Sequence, residues 1–278
     1  MDLTRQTAAA WLGGGDVAVV REGELARLHT ELDSDDVQCL RVVSDEPLVM
    51  LVGTEPAHLF RVTGDGLAVR VESFDRMGGR DQWSTPWGGP AAVRSLADSG
   101  RSLYADIHVG SIARSSDNGD SWEPVRGDIH PDVHQVATCS AAPDRIYANT
   151  ADAIFISEDR GDSWRHSVEG FVSRYGRAVA VHPRDPDLLL ASVSRGPHKG
   201  EGRLYRSADG GESWEHVRGG FPPFVEGNID TFCLGFDDDC AWAAVSNTLY
   251  RSDDYGVRWQ ECWEAPAEIR AIACVRGG

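Results

Sequence analysis

Four copies of an eight-residue pattern, S-x-D-x-G-x-x-W, recur through the second half of this 278-residue chain, at residues 115–122, 157–164, 207–214 and 252–259. Their first serines lie 42, 50 and 45 residues apart. A near-constant period of that length marks a repeat architecture, in which each unit is one small supersecondary element buried against its neighbours. The pattern says much about how the chain folds and little about what it does.

The same context surrounds each copy. Leu-Tyr-Arg leads into Ser207 and again into Ser252, and after the polar turn Trp214 opens a second extended run, Trp-Glu-His-Val. This reads as a β-hairpin. Gly119, Gly161, Gly211 and Gly256 stand where the turn needs positive φ; short Asp and Ser side chains cap turn amides, and the tryptophan packs beneath. Two further apolar runs precede each hairpin, at 177–183 and 188–194 in the clearest unit. Four short strands per repeat make the blade of a β-propeller.

On these motif copies the chain resembles the bacterial neuraminidase repeat, or Asp-box, family of propellers, over residues 90–263. Upstream the pattern decays: 59–66 aligns with 204–211, but Val62 and Gly64 replace the serine and aspartate of the box. Blades are expected near 37–75, 91–127, 134–169, 177–218 and 229–264, with a sixth made of 268–276 plus 8–31. The expectation is therefore all-β, with a single domain over 1–278. It is a six-bladed β-propeller of four-stranded blades, closed by pairing the N-terminal strands with the C-terminal strand, which removes the open sheet edges.

Composition narrows the function classes. The formal charge is −17, and of 27 basic residues only Lys199 is a lysine. Nucleic acid and anionic membranes both require clustered basic surface, so neither is an expected partner. No apolar run reaches the roughly 18 residues of a membrane span. The first residues carry an early acid and no apolar signal core, so a cytoplasmic monomer is expected. The six cysteines form no C-x-x-C pair. Cys39, Cys139, Cys233 and Cys274 fall in apolar first strands and read as buried thiols, with Cys240 and Cys262 elsewhere.

The resemblance implies that the Asp-box turns lie between third and fourth strands, away from the usual ligand face, which makes Asp117, Asp159, Asp209 and Asp254 structural. Candidate chemistry then belongs to the loops between blades and between second and third strands. Three readings arise there. His108, His130 and His134 offer imidazoles for a divalent metal. Arg174, Arg177, Arg195 and Arg270, with His108, His134, Tyr175, His198 and Asp230 nearby, offer a site for a small anionic molecule or a protein partner. Against this, local acids such as Glu169, Glu201 and Asp230 stand ready to neutralise those arginines. A hydrolase or lyase using the His and Arg residues is the third reading. Sialidase chemistry, which the family resemblance suggests, lacks its early R-I-P segment here and a glutamate partner for Tyr175. Whether the chain is an enzyme stays open, as do its catalytic residues and any cofactor.

Overall fold

The structure, a computed structural model, describes residues 7–32, 36–85, 87–198 and 200–274. Apart from a four-residue helix, Glu72–Asp75, and a short 3-10 turn, Arg80–Gln82, its regular structure is antiparallel β-sheet in six sheets. Blade 1 comprises Thr7–Gly13, Asp16–Arg21 and Glu24–His29; blade 2 Val37–Ser44, Val49–Thr54, Leu59–Thr63 and Ala68–Arg70. Blade 3 runs Ala92–Asp98, Leu103–His108, Ser111–Ser115 and Glu123–Pro124; blade 4 Val133–Cys139, Ala142–Thr150, Ala153–Ser157 and Arg165–Ser167. Blade 5 is built of Tyr175–Val181, Leu189–Ser194, Arg203–Ser207 and Glu215–His216, and blade 6 of Leu234–Phe236, Ala241–Val245, Thr248–Ser252 and Gln260–Glu264. In blades 2 to 6 each strand pairs with the next in sequence, and the first strands of successive blades pack side by side around the axis.

Ring closure is visible in the C-terminal segment. Residues 268–274 form no ladder among the described residues, yet they lie along blade 6. Ile269 N–H donates to Ser246 O at 2.7 Å and Ile272 N–H to Phe232 O at 2.8 Å. The Cys233 thiol points at the carbonyls of Ile269 and Arg270. Two other thiols mark the same relation between one first strand and the next: Cys39 to Val93 O at 3.3 Å and Cys139 to His182 O at 3.2 Å. The C-terminal segment thus lies against blade 6 where the first strand of a following blade would lie, and the sheet of Thr7–Gly13, Asp16–Arg21 and Glu24–His29 is three-stranded among the described residues. The buried thiols serve as small apolar groups with a weak donor, and burial pushes those of Cys39, Cys139 and Cys233 up.

The motif turns are closed hydrogen-bonded units. In the copy at 207, the Ser207 hydroxyl donates to Asp209 Oδ1 (2.7 Å) and accepts the N–H of Gly211 (2.9 Å). Asp209 also accepts the N–H of Ser213 (3.0 Å) and its hydroxyl (2.6 Å). The copies at 115 and 157 repeat this pattern, and at 252 the amide of Arg258 replaces the serine amide. Gly211 has φ +79°, and a Cβ there would meet Ile156 Cδ1 at 2.4 Å. Trp122, Trp214 and Trp259 are buried beneath their turns; Trp214 stacks on Phe171 with centroids 5.0 Å apart.

Arginines then tie each turn to the blade before it. Arg61 of blade 2 donates to Asn118 O, Arg114 of blade 3 to Arg160 O, Arg165 of blade 4 to Gly211 O, and Arg206 of blade 5 to Tyr255 O. The motif carboxylates spend most of their acceptor capacity on their own turns, in keeping with a structural role.

Candidate functional site

In an antiparallel blade the turns joining strands one to two and three to four share one end. The turn joining strands two to three and the link to the next blade share the other. The motif turns follow the third strands, so the opposite end carries the second-strand termini and the blade links. There the first strands are irregular: the register shifts between Val93 and Leu96, Val133 and Gln135, and Gly176 and Val179. A bulge of this kind re-aims a side chain and leaves an amide without a ladder partner. The orphan amides are satisfied by second-strand side chains: Ser95 N–H donates to Asp106 Oδ1, and Ala178 N–H to Ser192 Oγ at 2.9 Å. The bulges present Arg94, His134 and Arg177. Gly176 is required beside the last of these, because a Cβ there would sit 1.5 Å from Asn149 Oδ1.

The resulting cluster is compact. His108 ends the second strand of blade 3, Asp132 lies in the link to blade 4, and His134 occupies the blade 4 bulge; one ligand atom from each falls within 4.8 Å of the others. Asp132 Oδ1 lies 3.1 Å from His108 Nε2 and 3.2 Å from His134 Nε2. His108 is 3% exposed and His134 fully buried, their rings stacked with centroids 5.2 Å apart. Trp87 lies against His108 (5.4 Å) and Tyr175 against His134 (5.0 Å).

His134 Nδ1 is 2.6 Å from the carbonyl of Gly176. A carbonyl only accepts, so Nδ1 carries the hydrogen and the Nε2 of the neutral ring is a bare lone pair. That lone pair faces a carboxylate oxygen. Neither His134 Nε2 nor Asp132 Oδ1 has a hydrogen-bond partner among the described residues, nor does His108 Nδ1. Burial pushes His134 below the ordinary imidazole value, against the pull of Asp132 and with the push of Arg177. Burial acts to raise the Asp132 carboxyl, but the two imidazoles hold it well below the usual carboxylate range.

The channel is plugged at this level. Gln135 Oε1 accepts the amides of Val179 and Phe232, both at 3.2 Å, and Thr231 Oγ1 donates to His134 O at 3.1 Å, so blade 4 reaches across to the link before blade 6. The cluster lies at the level of this crossing, with both imidazoles buried.

Several expected residues meet here and others do not. His108, His134, Tyr175 and Arg177 converge, the Arg177 guanidinium lying 5.2 Å over the Tyr175 ring. His130 does not join the imidazole pair: its Nδ1 accepts the amide of Asp132 at 3.1 Å, and Asp132 itself supplies the third ligand atom. The wider arginine cluster is neutralised locally. Arg174 pairs with Asp152 at 3.5 Å and Arg195 with Glu201 at 2.8 Å, while Arg270 is 89% exposed and 3.8 Å from Glu268. His198 is exposed on the same loop as Arg195. Asp230 lies 3.5 Å from Arg177.

Asp132 and Arg94 escaped the sequence reading. The signal for Asp132 was its i,i+2 spacing to His134, which in extended chain places both on one face.

This arrangement defines the chain as a six-bladed β-propeller with a His–Asp–His cluster at the channel end opposite its motif turns. Within that class, a family model described as sortilin, neurotensin receptor 3, matches residues 110–224. A xyloglucanase of Paenibacillus sp is 28% identical over 203 residues, 56% of this chain and 19% of that protein. The chain spans a quarter or less of the curated relatives it matches. Among solved structures, an ancestral GH74 enzyme is similar with a TM-score of 0.67 and 15% identity, covering 93% of this chain and 38% of the other. YCF48 bound to D1 peptide is similar with a TM-score of 0.56 and 16% identity, covering 92% and 72%. At such identities the structural likeness is one of fold.

Proposed function

We propose that this propeller holds a divalent transition-metal ion at this cluster through His108, Asp132 and His134, and uses it to bind a small ligand. The observation that carries this reading is the bare Nε2 of His134 aimed at the unpaired Oδ1 of Asp132, 3.2 Å away and buried. Two lone pairs facing each other in a dry site repel, and a cation between them turns repulsion into coordination. A proton on Nε2, which pairs the ring with the Asp132 carboxylate, does the same, so metal and proton compete for this site. Nitrogen and oxygen ligands about 2.0–2.1 Å from zinc at tetrahedral angles stand roughly 3.3 Å apart, close to the spacing found. The Gly176 carbonyl supplies the outer contact that fixes the ring of a ligating histidine. Two imidazoles and one carboxylate suit zinc or iron(II) rather than calcium.

Titration of the purified, chelator-treated protein with zinc, followed calorimetrically, tests this. One equivalent bound, with the loss of binding in His134→Ala and Asp132→Asn, is expected. The absence of stoichiometric uptake, or uptake unchanged in both variants, would sink it.

A metal-assisted hydrolase is the second reading. It is supported by the likeness to xyloglucanases and by the positions that three protein ligands leave open for water. Zinc-dependent cleavage of xyloglucan oligosaccharides, lost in His134→Ala, would support it, and no turnover by loaded protein would remove it. The closed Ser-Asp-Gly turns support placing the chain among Asp-box propellers. The free thiols of Cys39, Cys139, Cys233, Cys240 and Cys262 and a charge of −17 support a cytoplasmic monomer without nucleic-acid or membrane partners.

A further inference from the structure

We infer that the C-terminal segment, residues 268–274, is a latch on the cluster of His108, Asp132 and His134. Seated on blade 6 it holds the channel plug beside His134, and its release loosens the cluster. The effect on ion affinity rests on the metal reading, to which the latch adds a means of regulation.

The plug is Phe232. Its N–H donates to the side chain of Gln135, the neighbour of His134 in sequence, at 3.2 Å. The hydroxyl of the preceding residue, Thr231, donates to the carbonyl of His134 itself at 3.1 Å. The Phe232 ring packs against the core shared by blades 2 and 3, and its carbonyl accepts the N–H of Ile272 at 2.8 Å. Phe232 has φ +64°, a left-handed conformation that a residue with a side chain keeps only where its surroundings hold it. One strained residue therefore joins the blade 2 and 3 core, the backbone beside His134 and the C-terminal segment.

That segment is lightly held. Besides the Cys233 thiol contacts, its hold on blade 6 is two amide bonds, from Ile269 and Ile272, and the side chains of the same two residues packed on the blade 6 core. None of residues 268–274 is buried, whereas the first strands of blades 3, 4 and 5 are buried over most of their length. No ladder fixes it from the other side. In blade 1, Glu22 and Gly23 form a two-residue turn, so Arg21, Val19 and Val17 bond the strand Glu24–His29, and Val20 and Ala18 bond Ala8 and Ala10. Thr7, Ala9 and Trp11 then point their amides and carbonyls outward, along an edge with no paired strand among the described residues. Thr7 Oγ1 is buried there with no hydrogen-bond partner among the described residues. An inner segment with so few contacts opens ahead of the whole fold. Once it opens, the Phe232 carbonyl loses its donor, and the residue that steadies Gln135 loses one of its three holds.

Ile272→Pro in the full chain deletes the N–H that the Phe232 carbonyl accepts. Ala271→Pro, one residue away at an N–H with no hydrogen bond among the described residues, is the control. Zinc titration by calorimetry and amide hydrogen exchange are read on both and on wild type. Ile272→Pro is expected to bind one equivalent of zinc about tenfold or more weakly, the size of a lost outer contact. The amides of Val179 and Phe232, both bonded to Gln135 Oε1, are expected to exchange faster in it. Ala271→Pro is expected to stay within about threefold of wild-type affinity, as for a surface change, with those amides unaltered. Wild-type zinc affinity in Ile272→Pro, or an equal loss in both variants, overturns the latch and leaves the metal reading intact. If wild type takes up no zinc, the metal reading falls and the amides decide alone. Faster exchange confined to Ile272→Pro then supports the latch, and equal exchange overturns it. Ile269→Pro, which unfastens the segment at Ser246, carries the same expectations and takes its place if Ile272→Pro does not fold.

Discussion

The two ends of this propeller use the same residue types to opposite effect. At the motif end, Asp117 and Asp209 each accept an amide and two hydroxyls from their own turns, Asp159 two amides and two hydroxyls, and Asp254 two amides and one hydroxyl. At the cluster, Asp132 faces two imidazoles with its Oδ1 unpaired. A saturated carboxylate holds a turn together. An unsaturated one, its Oδ1 buried beside the Nε2 of His134, keeps its capacity for a ligand. Site and scaffold are separated here by hydrogen-bond satisfaction, because residue type is the same at both ends.

The contrast can be broken from either side. The largest effect expected on the scaffold is that of Trp214→Ala, which removes a buried ring stacked on Phe171 and should cost about 3–5 kcal/mol in denaturant unfolding while leaving zinc affinity unchanged. At the cluster, Asp132→Asn should lower zinc affinity by ~100-fold or more, in line with loss of a direct ligand rather than an outer contact, yet keep or raise the melting temperature. Were Asp132→Asn to destabilise the fold as a motif substitution does, the distinction between the two ends would be lost.

Asp209→Asn makes the paired comparison. It removes the acceptor for the Ser213 hydroxyl and should cost about 1 kcal/mol, with no change in zinc binding.

The pH dependence differs in sign between motif aspartates and Asp106. Hydrogen bonds from Ser121 hold Asp117 at about 2. Asp209, pushed up by burial but held down more strongly by Ser213, also sits at about 2. Their folded values lie below the ordinary 3.8, so their stabilisation is full above that value and fades as pH falls towards 2. Burial instead raises Asp106 to about 7, against the hydrogen bonds of Ser95. The folded state then holds a proton that the unfolded state has released, and stability falls as pH rises from about 4 to 7. Asp106→Asn should flatten that slope in melting curves taken across the window. A slope unchanged by the substitution would place its origin elsewhere.

Much of the fold was legible because its signals are local. The serine, aspartate and glycine of each turn interact within four residues, so the pattern S-x-D-x-G-x-x-W is itself the list of contacts. The cluster was legible only in part. His108, His134, Tyr175 and Arg177 were expected near one another, but so were Arg174 and Arg195, which fold onto Asp152 and Glu201. His130 was misjudged because its ring caps a nearby amide, a contact that a bare H-x-x-x-H spacing does not reveal.

By itself, then, the sequence determined the turns and the blade period. Those follow from hydrogen bonds a few residues long and from the alternation of strand direction. Only the tertiary structure decided which acid joins the histidines, which arginine lies over Tyr175 and which nitrogen of His134 has no partner among the described residues. Those outcomes depend on register shifts in the first strands of blades 3, 4 and 5, and on a glycine carbonyl 42 residues from the histidine it fixes. A bulge moves a side chain by one position without leaving a periodic mark in the sequence, and whether a polar atom is satisfied is known only once all its neighbours are in place.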